Sequence, residues 1–249
     1  MATIAKRSVL VVAGLGTGHG TGASTARIFA KAGFSVALVA RGADSVETLA
    51  TEINQSGGEA APFPVQSYSH EEISSAWARI RERYSKPNYS IRAAVFNAAS
   101  SSWKGFLDFT PQEIEKMLQA NVAAAFSFSR EAILEFRGND IQEPAGKRGT
   151  LIFTGATASV RGNVTTSAFS AVKHAQRALS QSLAKEFGKE NIHVAHVIID
   201  GVINTGHSGL NLSVKLEPDS IAKAYLYLAE QDSSAFTWEL DLRPAHERW

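Results

Sequence analysis

Cysteine is missing from all 249 residues. That excludes a disulfide framework and every thiolate mechanism, and makes a reducing, cytoplasmic setting the default expectation. Long apolar runs are missing too. The run that opens the chain, inside "MATIAKRSVLVVAGLG", is about six residues long before Gly14 interrupts it. It is too short for a signal-peptide core and far short of the ~20 residues that span a bilayer, so no membrane association is expected. Charge of one sign is also lacking. Lys and Arg number 25 against 24 Asp and Glu, a net charge of +1. Without a basic block no nucleic-acid partner is expected, and no metal site is expected either.

What the chain does have is apolar content, 44%, enough for the core of one domain spanning 1–249. Short runs rich in β-branched residues recur: "SVLVVA" (8–13), "SVALVA" (35–40), "APFPVQ" (61–66), "AAVFNA" (93–98), "TLIFTG" (150–155), "HVAHVIID" (193–200) and a weaker "TWELDL" (237–242). They are apolar nearly throughout rather than alternating, as strands covered on both faces should be. Helical patterns separate them, among them "STARIFAKAG", "SVETLATEINQSGG", "IEKMLQANVAAAFSFSREAILEF" and "FSAVKHAQRALSQSLAKEF". Alternation of this kind predicts an α/β fold: a doubly wound parallel sheet of about seven strands with helices on both faces. The polar stretch 137–149, "RGNDIQEPAGKRG", reads as a surface loop and not a domain boundary.

The segment "GLGTGHGTG" puts glycine at positions 14, 16, 18, 20 and 22, with an apolar strand feeding in and a helical pattern leaving. In that setting glycines let the backbone turn tightly and approach a pyrophosphate held at the helix N-terminus. A dinucleotide site follows, with Gly14, Gly16, Thr17, Gly20 and Gly22 as its first contacts. The turn resembles the Gly-x-x-x-Gly-x-Gly of the short-chain dehydrogenase/reductase family, and the sheet then implies a Rossmann-type domain. Counting back from Gly33 selects Gly16, Gly20 and Gly22; counting forward from the strand selects Gly14. The turn reads about two residues longer than the family pattern.

Further stretches carry the same resemblance. "VFNAA" is similar to the family's Asn-Ala-Gly, with Asn97, Ala98 and Ala99. "LQANVAAAF" supplies Asn121, where the family keeps an asparagine that holds a water beside the catalytic lysine. Lys173 matches that lysine, which also clamps the nicotinamide ribose. "IDGVINT" resembles Pro-Gly-x-x-x-Thr, with Gly201, Val202, Ile203 and Thr205 in the segment that holds the carboxamide and Asp200 in place of proline. At the end of the second strand stands Arg41, where an acid would bind the free 2′-hydroxyl of NAD; its guanidinium suits a 2′-phosphate, and NADP(H) is the expected cofactor. Family members pair through the two long helices, which implies a homodimer or homotetramer.

Two positions break the pattern. The family's proton donor is a tyrosine four residues before the lysine, and its carbonyl-polarising serine stands thirteen further upstream. Here they are Phe169 and Ala156. Neither side chain can act as acid or base, so the resemblance implies an oxidoreductase with a non-standard site. A substrate such as an iminium ion or activated enone would accept hydride and draw any proton from water. Asp200, His207, Ser159, Thr157 and Thr154 are candidate replacement donors. Catalytic roles are expected for Lys173, Asn121, Asp200 and Ser159. His193 and His196 lie on a buried strand and read as satisfied core residues, and His174 as a residue facing away. The stretch "GHSGLNLSVKLE" before Pro218 is short for a lid and suggests an open site for a small-molecule substrate. Two alternatives stay open: a non-catalytic NADP(H)-binding sensor or scaffold, and a cofactor-dependent enzyme without net redox chemistry.

Overall fold

A computed structural model describes residues 6–206 and 214–246. The apolar runs form the parallel strands β1 (Arg7–Ala13), β2 (Ser35–Ala40), β3 (Glu59–Pro64), β4 (Tyr89–Phe96), β5 (Gly149–Thr154) and β6 (Ile192–Ile199). Two further pieces, β7 (Val202–Ile203) and β8 (Lys215–Leu216), pair with each other in parallel, and β9 (Glu239–Leu242) closes the main sheet. The seven-stranded order is β3-β2-β1-β4-β5-β6-β9, and the switch of direction between β1 and β4 opens the crevice where ligands bind in such sheets.

Helices cover both faces. On one side α3 (His70–Arg83), α5 (Ala124–Arg137) and α6 (Ser167–Phe187) pack Trp77, Phe128, Phe136 and Leu179 against Val9, Val11, Phe96 and Phe153. On the other, α1 (Thr21–Lys31), α2 (Ala43–Gln55) and α7 (Pro218–Glu230) pack Phe29, Leu49, Ile53 and Tyr225 against Leu10, Val12, Leu38 and Val197. Alternate residues of each strand feed the two cores, so both faces must be apolar. No helix among the described residues is long and apolar enough to cross a membrane.

Three features differ from the sequence expectation, each for a local reason. The fourth strand begins at Tyr89 rather than residue 93. Its register slips between Val9 and Leu10, leaving Arg92 as an extra residue. The bulge turns the Arg92 guanidinium outward onto the Asp140 and Arg148 carbonyls, at 2.7 and 3.0 Å. The stretch 114–136 is not one helix: α4 (Pro111–Leu118), capped by a Thr110/Glu113 box, passes through a π turn at Gln119–Ala123 before α5. The polar interval 137–149 is anchored rather than loose. Buried Asn139 donates to the Ile91 carbonyl at 2.8 Å, and buried Lys147 donates to the Ala229 and Gln231 carbonyls at 2.6 and 2.5 Å, closing the C-terminal end of α7.

Candidate active site

The carboxyl ends of β1, β4, β5 and β6 open into one cavity of about 1000 Å³. Its walls are mostly apolar and come from five segments: the glycine turn, the residues after β4 and β5, the start of α6, and 199–205.

Of the glycines, Gly14 and Gly22 are the two that packing requires. Gly14 has φ +92°, and a Cβ there would lie 2.4 Å from the Ala98 nitrogen; a Cβ on Gly22 would lie 2.1 Å from the Gly14 carbonyl oxygen. The Asn97 amide donates to that same carbonyl at 2.6 Å and locks the turn to the end of β4. Packing thus singles out Gly14 from the forward count and Gly22 from the backward one. Gly16, Gly18 and Gly20 face open space, with Thr17 exposed among them. Arg27, paired with Glu52, reaches back to the Gly18 carbonyl at 2.9 Å and holds the longer turn.

Gly20 is the N-cap of α1 and brings no side-chain acceptor, so the first-turn N–H groups remain available to an anion. Thr21, the next residue, lines the cavity; its hydroxyl is buried and has no hydrogen-bond partner. An orphaned donor beside open N–H groups fits a pyrophosphate. Sequence reasoning missed Thr21, although a hydroxyl between Gly20 and Gly22 was a readable signal. Asn97, Ala99, Lys173, Gly201, Val202, Ile203 and Thr205 line the same cavity, while Ala98 is buried behind it. Arg41 stands exposed after β2, its guanidinium 5.4 Å from the centre of the Tyr68 ring.

At the chemical end, Lys173 is buried and donates to the Thr154 carbonyl and the Gln176 side-chain oxygen, both at 2.9 Å. Burial pushes its pKa down to about 8. Phe169 sits one turn earlier, its ring 5.8 Å from the Lys173 nitrogen and 5.5 Å from Trp103. Ala156 lines the cavity opposite. Asn121 is fully buried in the π turn. Its amide donates to the Ser100 and Met117 carbonyls, and its own carbonyl accepts from Gln176 at 2.7 Å. Trp103 and Gln176 were not singled out from sequence.

The structure separates the candidate donors. Asp200 is buried behind the cavity wall, its carboxylate ion-paired to Arg243 at 2.6 Å and accepting from the Thr157 hydroxyl. Oδ1 is committed to Thr157, while Oδ2, though ion-paired, makes no hydrogen bond, and Asp200 does not line the cavity where a proton donor was expected of it. Ser159 is likewise buried; its hydroxyl accepts from the Ala156 backbone N–H at 3.1 Å and does not line the cavity. Thr154 pairs with the Tyr225 hydroxyl at 2.7 Å. Thr154 and Thr157 both line the cavity, and the Thr157 hydroxyl gives its proton to Asp200. His207 lies outside the described residues, as does most of the segment read as a lid. His174 is exposed on α6. His193 is satisfied at both ring nitrogens, by the Leu228 and Thr237 carbonyls. His196 meets Glu239 through Nδ1, while Nε2 lies against Gly155 without a partner.

A family model described as "short chain dehydrogenase" matches residues 8–213. An uncharacterized oxidoreductase of Bacillus subtilis is 27% identical over 237 residues, 90% of this chain and 63% of that protein, so the chain spans less than two thirds of this relative's length. Among solved structures, a short-chain dehydrogenase from Rhodopseudomonas palustris superposes with a TM-score of 0.79 at 28% identity, covering 95% of this chain and 98% of that one. An alcohol dehydrogenase from Thermococcus sibiricus, complexed with 5-hydroxy-NADP, gives 0.82 at 21% identity, over 98% and 99% of the two chains.

Proposed function

The chain belongs to the short chain dehydrogenase family, and from that premise we propose an NADP(H)-dependent oxidoreductase whose pocket lacks the tyrosine acid and the polarising serine of the family. The observation that carries this reading is the asymmetry of the cavity. Its cofactor half is lined by Gly20, Thr21, Asn97, Lys173 and Thr205, whereas its reacting half presents Phe169 and Ala156 where a tyrosine and a serine stand in the family.

The residues present fit the cofactor. Open N–H groups at the start of α1 and the orphaned Thr21 hydroxyl would take the pyrophosphate, Arg41 the 2′-phosphate, and Lys173 the nicotinamide ribose. When bound, the reduced nicotinamide supplies hydride. Gly201, Val202, Ile203 and Thr205 line the cavity where its carboxamide would lie.

Loss of a positioned acid forfeits ~10²–10⁴-fold in rate for a substrate that needs one. It costs little where the hydride adduct is stable without immediate protonation. A conjugated enone gives a delocalised oxyanion, and an iminium ion gives a neutral amine. Trp103 and Phe169, their rings tilted 56° to one another, offer an aromatic corner for either. The test is stopped-flow oxidation of NADPH against simple ketones, enones and imines. Turnover of an enone or iminium ion at least about a hundredfold faster than of a ketone is expected. A simple ketone reduced as fast as both would overturn the reading.

A further inference from the structure

Lys173 has three N–H donors, and the structure assigns two of them within the protein. One goes to the Thr154 carbonyl and one to the Gln176 side-chain oxygen. Gln176, three residues on along α6 and so on the same face, is itself buried. Its amide nitrogen donates to the Asn121 carbonyl at 2.7 Å. The chain Lys173–Gln176–Asn121 is therefore closed by a side chain, and the space between the ammonium and that carbonyl is filled. A water there would exchange protons readily. A primary amide satisfies the same two partners and passes no proton at neutral pH.

We propose that the Gln176 amide is a plug: it seals the protein side of Lys173, so that the ammonium meets solvent and substrate only through the cofactor cavity. This rests on the cavity being the cofactor site but not on any turnover. It makes Gln176 a positioning residue, and it explains how Lys173 is kept while Phe169 replaces a hydroxyl donor. A site that takes no proton from the protein gains from holding its lysine fixed and has no use for a route that refills it.

The test is exchange of the Lys173 ammonium protons with water, read by ¹⁵N NMR on the protein saturated with NADP, which closes the cavity route. Gln176→Ala removes enough volume for a water, which takes ~30 Å³. In the NADP-saturated state exchange is expected to be about tenfold or more faster in that variant than in the unmodified protein. Gln176→Leu removes the amide but keeps the bulk, and exchange is expected to stay within about threefold of the unmodified protein. This second variant separates a seal from a merely structural contact. Saturation with NADP should slow exchange in the unmodified protein and leave it fast in Gln176→Ala. Equal exchange in the NADP-saturated unmodified protein and Gln176→Ala would overturn the proposal, as would an equal rise in both variants. Should Gln176→Ala fail to fold, Gln176→Ser opens the same route and is read in its place. Absence of NADP binding by calorimetry would overturn the cofactor reading and the plug with it, whereas binding with equal exchange overturns the plug alone.

Discussion

On the proposed reading, Arg41 would set which cofactor enters and Phe169 what happens to it. The Arg41 guanidinium is exposed and stacked near Tyr68, and no acid pairs with it among the described residues. A 2′-phosphate would supply that pairing, whereas the 2′-hydroxyl of NADH would not. NADPH is therefore expected to bind at least tenfold more tightly than NADH, about 1.4 kcal/mol, with Arg41→Asp shrinking or reversing the preference. Calorimetry checks this, and equal affinities for the unmodified protein would refute it. At Phe169 the ring packs against Trp103 and beneath Lys173. Phe169→Tyr with Ala156→Ser would return a donor and a polariser, yet the new hydroxyls enter a wall shaped for apolar contact and each needs a partner. Ketone reduction by the double variant is expected to gain less than ~100-fold, the lower scale of a restored acid. A larger gain would mean an ordinary ketoreductase site awaiting only its missing groups. Asn97, Lys173 and the glycine turn, all intact, argue against such a relic.

Strand β6 shows how an element buried on both faces couples the fold to pH. His193 and His196 are both inside it, and burial, the largest cause, pushes each down to about 4 from 6.5. Between those values the unfolded chain binds protons that the folded chain refuses, so stability rises with pH through the window and falls as pH drops. The loss is of the order of 3 kcal/mol per histidine at full extent. The paired carboxylates Glu113, Glu52 and Glu239 are lowered below 4.5 and enter only under that pH. Buried Lys147 and Lys173, each lowered to about 8, enter above pH 7, so urea midpoints between pH 6.5 and 5 isolate the histidines. The midpoint is expected to fall across that range, and a flat profile would show that neither side chain is held neutral. The strands were legible from sequence because burial on both faces leaves an unbroken apolar run. The Arg92 bulge, the π turn around Asn121 and the closing role of Lys147 were not. Each depends on which carbonyls lie opposite in the folded chain, which periodicity does not encode. The same limit applied to the site. Resemblance to the family's motifs located Lys173 and Asn121, but only packing reveals that Gln176 joins them, that Asp200 sits behind the wall, or that Gly14 and Gly22 are the two glycines of the turn in contact.

At the scale of the whole molecule, the surface outside α4, α5 and α6 is the part that the single chain does not explain. Leu118, Phe126 and Leu134 are 47%, 57% and 46% exposed there, beside an α6 whose exposed residues mix Ala171, Ala178 and Ser182 with His174, Gln181, Lys185 and Glu186. Exposed apolar side chains on adjacent elements, Leu118 on α4 with Phe126 and Leu134 on α5, are ones that a second copy of the chain would cover. With α6, these are also the helices that hold Asn121 and Lys173, so their packing bears directly on the site. A homodimer or homotetramer is expected at micromolar concentration by light scattering. Phe126→Glu would place a charge in that contact, dissociate it and loosen NADPH binding at the same time, because the π turn and the Lys173 helix would lose their outer support. A monomer at micromolar concentration with full NADPH affinity would show instead that the helices need no partner, and that Lys173 is held by Thr154 and Gln176 from within.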